Sequence, residues 1–264
     1  ESERHGARKT QFKLMLLLMN NARVALAFES LGVMEAALDL ATTYAAERPS
    51  MGKTIDRHEM IADYLDEMKT DIQGLRALGV YASMHEELAQ RYDIAANVLA
   101  ANDEVEAQRY RKLSTVHKAK ARRVTPLAKA FGSERAVFHA QRCIQIHGGV
   151  GYTKEYGAEK LLRDAMVLPI YEGTTQIQAL MAMKDSLMGI MKDPAAFVSR
   201  LAQWRWRGVS ARDPLERRVA KLKSLSLSAQ QHLMQRTATD KIKGLAGKPI
   251  TAWPTLFAKD WDPK

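Results

Sequence analysis

Arg142 to Lys184 read RCIQIHGGVGYTKEYGAEKLLRDAMVLPIYEGTTQIQALMAMK, and the rest of the chain is organised around this stretch. An apolar helical segment, Ala136 to Ile146, stops at Gly148-Gly149, and a Gly- and Tyr-rich turn follows. Paired glycines end helices because they reach positive φ without a steric penalty. A short helix carrying Arg163-Asp164 comes next. Pro169 then halts the chain and presents Tyr171-Glu172-Gly173-Thr174 just ahead of another helical segment. A carboxylate on a turn between Pro and Gly, at the mouth of a helix N-terminus, is an odd place for a merely structural Glu. Glu172 is therefore the first candidate for chemistry.

Working outward, upstream apolar residues recur at three- and four-residue steps: Phe12, Met15, Leu16, Met19, Ala22, Leu26, Leu31, Met34, Leu38 and Ala41. They predict a helix from Thr10 to about Glu47, with the charged Glu1–Lys9 irregular. Arg48-Pro49-Ser50-Met51-Gly52-Lys53 breaks it. A second helix is expected from near Asp56 towards Ala101, with Ile61, Leu65, Met68, Ile72 and Leu75 inward. Asn102-Asp103 marks a turn. A third helix runs from about Val105 to Ile146, with Pro126 as a kink point. These three and the helix from Thr174 predict a four-helix bundle. Downstream, helices are expected over Pro194–Arg207 and Pro214–Thr239, before a Pro/Gly/Trp-rich end. The expected division is 1–188 as the bundle and 189–264 as a helical extension.

Composition agrees with an all-α fold. Among 264 residues there are only 8 Pro and 15 Gly, with 13 Met and abundant Ala, Leu, Lys and Glu. Strand-like alternation is hard to find. The lone Cys143 excludes an intramolecular disulfide and points to a reducing compartment. Its apolar helix marks it as a buried, inert thiol. The apolar run Leu14–Met19 is too short to span a membrane. The seven His are scattered without metal-ligand spacing, so no metal site is expected. A net charge of +10 favours an acidic partner: a phosphate-rich coenzyme, a nucleic acid or an anionic protein surface.

Taken together, the motifs resemble the acyl-CoA dehydrogenase family. Its C-terminal signature runs Gln-x-x-Gly-Gly-x-Gly-Tyr, then Arg-Asp, then Tyr-Glu-Gly-Thr-x-Gln-Ile-Gln. Here these parts stand in order at Gln145 to Tyr152, Arg163-Asp164 and Tyr171 to Gln178. Phe12 to Ala41 looks like the family's first bundle helix. Ala46 to Lys53 looks like its Glu-Arg-x-x-Phe-Gly-Lys loop, with Met51 in place of Phe. The resemblance covers about residues 10 to 188. It departs in a longer stretch between Gly74 and Val124 and in the tail beyond Met188. It implies an all-α, four-helix-bundle C-terminal portion of a longer enzyme, whose N-terminal helical domain and β-domain would precede this segment.

The resemblance also implies roles. Glu172 would be the general base that takes the α-proton of an acyl-CoA thioester while a β-hydride leaves to FAD. Tyr171 and Gly173 would flank the substrate, and backbone N–H groups would meet the thioester oxygen as charge develops. Some family members place the base just before the Arg that here is Arg23; that position is Ala22, which cannot serve. Asn20, Arg23 and Lys184 align with positions near the CoA moiety. Thr174 and Gln176, at a helix N-terminus suited to anions, would contact FAD. Gln145, Gly148, Gly149 and Arg48 would reach the FAD of a neighbouring subunit, making a homodimer or dimer of dimers obligatory. An electron-transfer flavoprotein would take the electrons. Arg163-Asp164 is expected to be a buried structural pair.

Two basic regions keep a rival reading open. Arg109, Arg111, Lys112, Lys118, Lys120, Arg122 and Arg123 form an acid-free block, and Arg200, Arg205, Arg207 and Arg212 surround Trp204 and Trp206. Such mixtures bind single strands. A solvated helix face or subunit interface is the plainer reading of both, and no nucleic-acid motif accompanies them.

Overall fold

Helix formers dominate the chain, and the elements they build are long. The computed structural model describes the backbone of residues 2–245 and the side chains of residues 21–236 and 239. Among them lie α1 (Ser2–Glu47), a hairpin of β1 (Pro49–Ser50) and β2 (Lys53–Thr54), α2 (Glu59–Leu99), α3 (Glu104–His147), α4 (Ala158–Ala165), α5 (Thr175–Lys192), α6 (Pro194–Ser210) and α7 (Pro214–Leu245). The fold class is all-α. The first helix begins at Ser2 rather than Thr10, because charge alone does not stop a helix where no proline intervenes. The α1–α2 break is a tight antiparallel hairpin with Pro49 opposite Thr54 and Ser50 opposite Lys53. Its turn places Met51 at φ +47° and Gly52 at φ +82°, the paired positive φ that matches strand twist.

Helix ends follow local chemistry. Asp103 caps α3, its carboxylate accepting from Glu106 N at 3.0 Å. Pro126 lies inside α3 and is buried, and the helix continues through it. Gly148, at φ +67°, ends the helix.

The core rises from large residues on α1 and α2 against alanines on α3. Leu26, Leu31 and Met34 of α1 and Ile72 and Leu75 of α2 meet Ala128, Ala136 and Ala140 of α3, with Ala165 and Leu168 closing one side. A second cluster joins Ala37, Ala41, Leu65, Met68, Cys143, Ile146 and Ala158. Each fully buried Met or Leu contributes roughly 1.5–3 kcal/mol. The short α4 packs on α3 and α1, and this closes the bundle beside the Glu172 turn.

The chain divides into two compact units, one ending at Ala182 and the other beginning at Met183, so α5 starts in the first and finishes in the second. Within the second unit α6 and α7 pack together. Leu187, Ile190 and Phe197 form its small core, with Met183, Leu227 and Met234 against it. Asp193 caps α6 by accepting from Ala196 N at 2.9 Å.

Candidate active site

The segment between α4 and α5 is closed by Thr175 N donating to Pro169 O at 3.1 Å. Inside that loop Glu172 has φ +54° and Gly173 φ +95°. Positive φ is uncommon for a residue with a Cβ and is held only where the surroundings enforce it. Here the enforcement falls on two carbonyl oxygens. Arg23 Nε donates to Glu172 O at 3.1 Å. Gln178 Nε2 reaches Glu172 O at 3.1 Å and Gly173 O at 3.2 Å. Lys129 Nζ donates to Gly173 O at 2.8 Å. A Cβ on Gly173 would lie 2.7 Å from Gln178 Nε2, so glycine is needed there for space as well as for φ.

The three donors come from three elements and are all buried: Arg23 of α1 is 6% exposed, Lys129 of α3 is 0% and Gln178 of α5 is 0%. Burial pushes the Lys129 ammonium below its usual range, Arg23 pushes it the same way, and Glu134 and Glu172 oppose them. Beside the turn the Tyr171 hydroxyl donates to the Glu29 carboxylate. Burial first, and Glu29 next, hold that phenol above its ordinary range. Thr175 Oγ1 donates to Glu134 at 2.6 Å. Thr174 caps α5, its Oγ1 accepting from Ile177 N at 3.4 Å. The Glu172 side chain is half-buried, and among the described residues no hydrogen bond or ion pair claims its carboxylate. A carboxylate left uncommitted on a clamped backbone can accept a proton from whatever is placed against it.

The expected cofactor residues fall into two groups. Thr174 and Gln176 adjoin Glu172, exposed at the start of α5. Gln145, Gly148 and Gly149 gather at the far end of α3, where the His147 ring stacks on Tyr44 of α1 at 4.3 Å. Arg48 lies just beyond that same end of α1. At 1.5 Å rise per residue, Gln145 lies about 24 Å along α3 from Lys129, and Arg48 about 37 Å along the α1 direction from Arg23. The two groups do not converge.

Arg23, expected near the CoA moiety, is buried and donates to the Glu172 carbonyl. Arg163 and Asp164 are not a buried pair: both are exposed on α4, Arg163 bridging Glu159 at 2.7 Å and Asp164 bonded to Lys160. Adjacent helical residues diverge around the axis, whereas residues four apart meet. Lys184 is exposed on the part of α5 that belongs to the second unit. Asn20 lies on α1, but its side chain is outside the described residues. The Pro/Gly/Trp-rich end is outside them as well. Lys129, Gln178, Glu29 and Glu134 were not singled out by sequence reasoning. Lys129 had a legible signal, since it stands in phase with Thr125, Gly132 and Ala136 on the buried face of α3.

Residues 12–107 and 95–187 match the family described as acyl-CoA dehydrogenase, C-terminal domain. The chain belongs to the acyl-CoA dehydrogenase family.

Relatives span different parts of it. An acyl-CoA dehydrogenase of Bacillus subtilis is 33% identical over 67% of this chain and 39% of its own length. The 3-methylmercaptopropionyl-CoA dehydrogenase of Ruegeria pomeroyi is 28% identical over 97% of this chain and 43% of its own. The crystal structure of Caenorhabditis elegans ACDH-11 in complex with C11-CoA superposes with a TM-score of 0.61 at 26% identity, over 86% of this chain and 35% of that one. The chain thus spans less than half the length of these family members.

For an acyl-CoA dehydrogenase segment the two residue groups suit a phosphate-bearing flavin. A Cβ on Gly148 or Gly149 would meet nothing within 4 Å, so the backbone there is open to close approach. Arg48 and Gln145 beside it, and Thr174 and Gln176 at the other group, are exposed.

In the basic block of α3, Arg109 pairs with Glu106 at 3.1 Å, Arg111 with Glu104 at 2.6 Å and Lys118 with Asp93 of α2. On the other unit Lys223 and Arg207 stack on Trp204 at 4.1 and 5.3 Å, which uses that aromatic face internally. Among the described residues no cluster could hold a metal, and no helix is long and apolar enough to cross a membrane.

Proposed function

We propose that this segment carries the base and half of each flavin site of an FAD-dependent acyl-CoA dehydrogenase, one that desaturates an acyl-CoA thioester between its α and β carbons. What carries this reading is the uncommitted Glu172 carboxylate on a turn whose two carbonyls are held by Arg23, Gln178 and Lys129. Glu172 takes the α-proton. Backbone N–H groups of the turn meet the negative charge that develops on the thioester oxygen. Tyr171, tied to Glu29, walls one side, and Gly173 leaves room for the Gln178 amide that holds the turn. FAD, when bound, supplies the acceptor for the β-hydride. Thr174 and Gln176 would hold it from the same subunit; Arg48, Gln145, Gly148 and Gly149 would hold the flavin of a neighbour.

The spread of the two groups along the helices supports that division and, with it, a dimer or dimer of dimers as the working form. The N-terminal helical domain and β-domain of the same enzyme would complete the pocket, and an electron-transfer flavoprotein would remove the electrons. Residues 1–188 would be the site-bearing part, and 189–264 an extension. Asn20 and Lys184 are proposed to face the CoA moiety.

The test is anaerobic absorbance of the complete enzyme, before and after a panel of acyl-CoAs. A flavin band bleached by one chain-length class in wild type, and left intact in Glu172→Gln, is expected. Bleaching that survives Glu172→Gln would overturn the assignment of the base. A protein without flavin that binds single-stranded DNA in a salt-dependent way would overturn the enzyme reading.

A further inference from the structure

Lys129 is the most unusual side chain of the first unit. It is fully buried, whereas lysine almost never is unless something repays the loss of hydration. Its hydrogen-bond partner among the described residues is not a carboxylate but a backbone carbonyl, Gly173 O, 2.8 Å from Nζ. Methionine, of similar length, would fill the same space at no desolvation cost, so packing does not account for an ammonium here. The position of the charge does. From α3 it sits beneath the residue that follows Glu172. From α1, Arg23 binds the adjoining carbonyl, and from α5 the Gln178 amide spans both. Each of these donors ties down a peptide at positive φ, and only Lys129 and Arg23 also bring charge. The ionised groups around Lys129 are Arg23 from α1, Glu134 on α3 itself and Glu172 on the turn. Tyr171 and its partner Glu29 lie on the side of the turn facing α1.

We propose that Lys129 is a positioning residue for the Glu172 base: its buried Nζ holds the Gly173 carbonyl and locks the Glu172–Gly173 turn. The proposal rests on the reading of Glu172 as base. Holding the turn governs how well the carboxylate is aimed, so its loss lowers the rate of proton removal without weakening substrate binding.

The test uses the flavin-loaded complete enzyme in wild type, Lys129→Met, Lys129→Arg and Glu172→Gln. Two readouts are taken from pH 5 to 9: kcat and KM, and exchange of the acyl-CoA α-hydrogens with D2O by mass spectrometry, which does not require turnover. For Lys129→Met, α-exchange and kcat are expected to fall about 100-fold with KM changed less than about threefold. Lys129→Arg, which keeps a cationic N–H donor for the Gly173 carbonyl, should recover most of that loss.

An unchanged exchange rate and kcat in Lys129→Met, with Glu172→Gln inactive, would overturn the role of Lys129 and leave the base assignment standing. Exchange persisting in Glu172→Gln would instead remove the base assignment itself. Should Lys129→Met fail to fold, Lys129→Gln carries the same test: its side chain is one bond shorter and stops short of the Gly173 carbonyl, so exchange and kcat at the wild-type level there overturn the proposal.

Discussion

Glycines in the same motif do different jobs, and alanine scanning should separate them. Gly151 is confined, since a Cβ would lie 2.7 Å from His147 Cβ and 2.8 Å from Ile144 O. Gly151→Ala is expected to destabilise by about 1–3 kcal/mol, read as a lower urea midpoint. Gly149→Ala meets open space and needs no positive φ, so its loss should be no more than about 1 kcal/mol. If the two substitutions cost the same, the confinement argument is wrong. Cys143 is equally diagnostic. It is fully buried, and burial pushes its thiol up to about 12. Iodoacetamide at pH 8 should therefore leave it unmodified in the folded protein and alkylate it only in denaturant. Labelling at native conditions would contradict its placement in the core.

At the scale of elements, the long α2–α3 hairpin is held by polar contacts as much as by its alanines. Asp103 caps α3 at the hairpin bend, so Asp103→Ala should cost about 1 kcal/mol in urea unfolding. Further along, His85 Nδ1 and His117 Nδ1 lie 2.9 Å apart and share one proton between them, which requires at least one neutral ring. Burial, then His117 and then Lys120 hold His85 below its unfolded value of 6.5. Between 6.5 and that lower folded value the unfolded chain binds more protons than the folded one. Stability is thus complete above about pH 6.5 and falls as the pH drops through the window. Urea midpoints at pH 7.5 and 5.5 should diverge for wild type and converge in part for His85→Leu. An unaltered pH dependence in that variant would rule out His85 as a contributor.

For the whole molecule, the separation of Arg48 from Glu172 leads to a complementation experiment. In the complete enzyme, Arg48→Ala and Glu172→Gln should each be severely impaired. If Arg48 serves the neighbour's site, a mixed dimer of the two variants has one site with both residues intact. Co-expression with differently tagged subunits should then restore about half the wild-type activity per dimer. If Arg48 serves its own subunit, the mixed dimer has no intact site and stays inactive.

Period and punctuation made much of this legible in one dimension. The three- and four-residue steps from Ala22 to Ala41 marked the buried face of α1. Gly148, Pro169 and Pro194 marked helix ends within a few residues, because backbone freedom and its restriction are local properties. The Tyr171–Gln178 motif pointed to Glu172 for the same reason. Other features depended on residues far apart in the chain meeting in space. In sequence Lys129 shows only that it falls in phase with the buried face of α3, and Arg23 only that it aligns with a position near a CoA moiety. Their task became visible only when α1, α3 and α5 converged on the carbonyls of Glu172 and Gly173. Conversely, Arg163-Asp164 reads as a pair and is not one, because helical geometry turns neighbours apart. Sequence alone determined that the chain is helical and where most of its helices break and carry their apolar faces; packing decided which charges are desolvated together, because the cost and strength of a charge depend on what surrounds it in three dimensions.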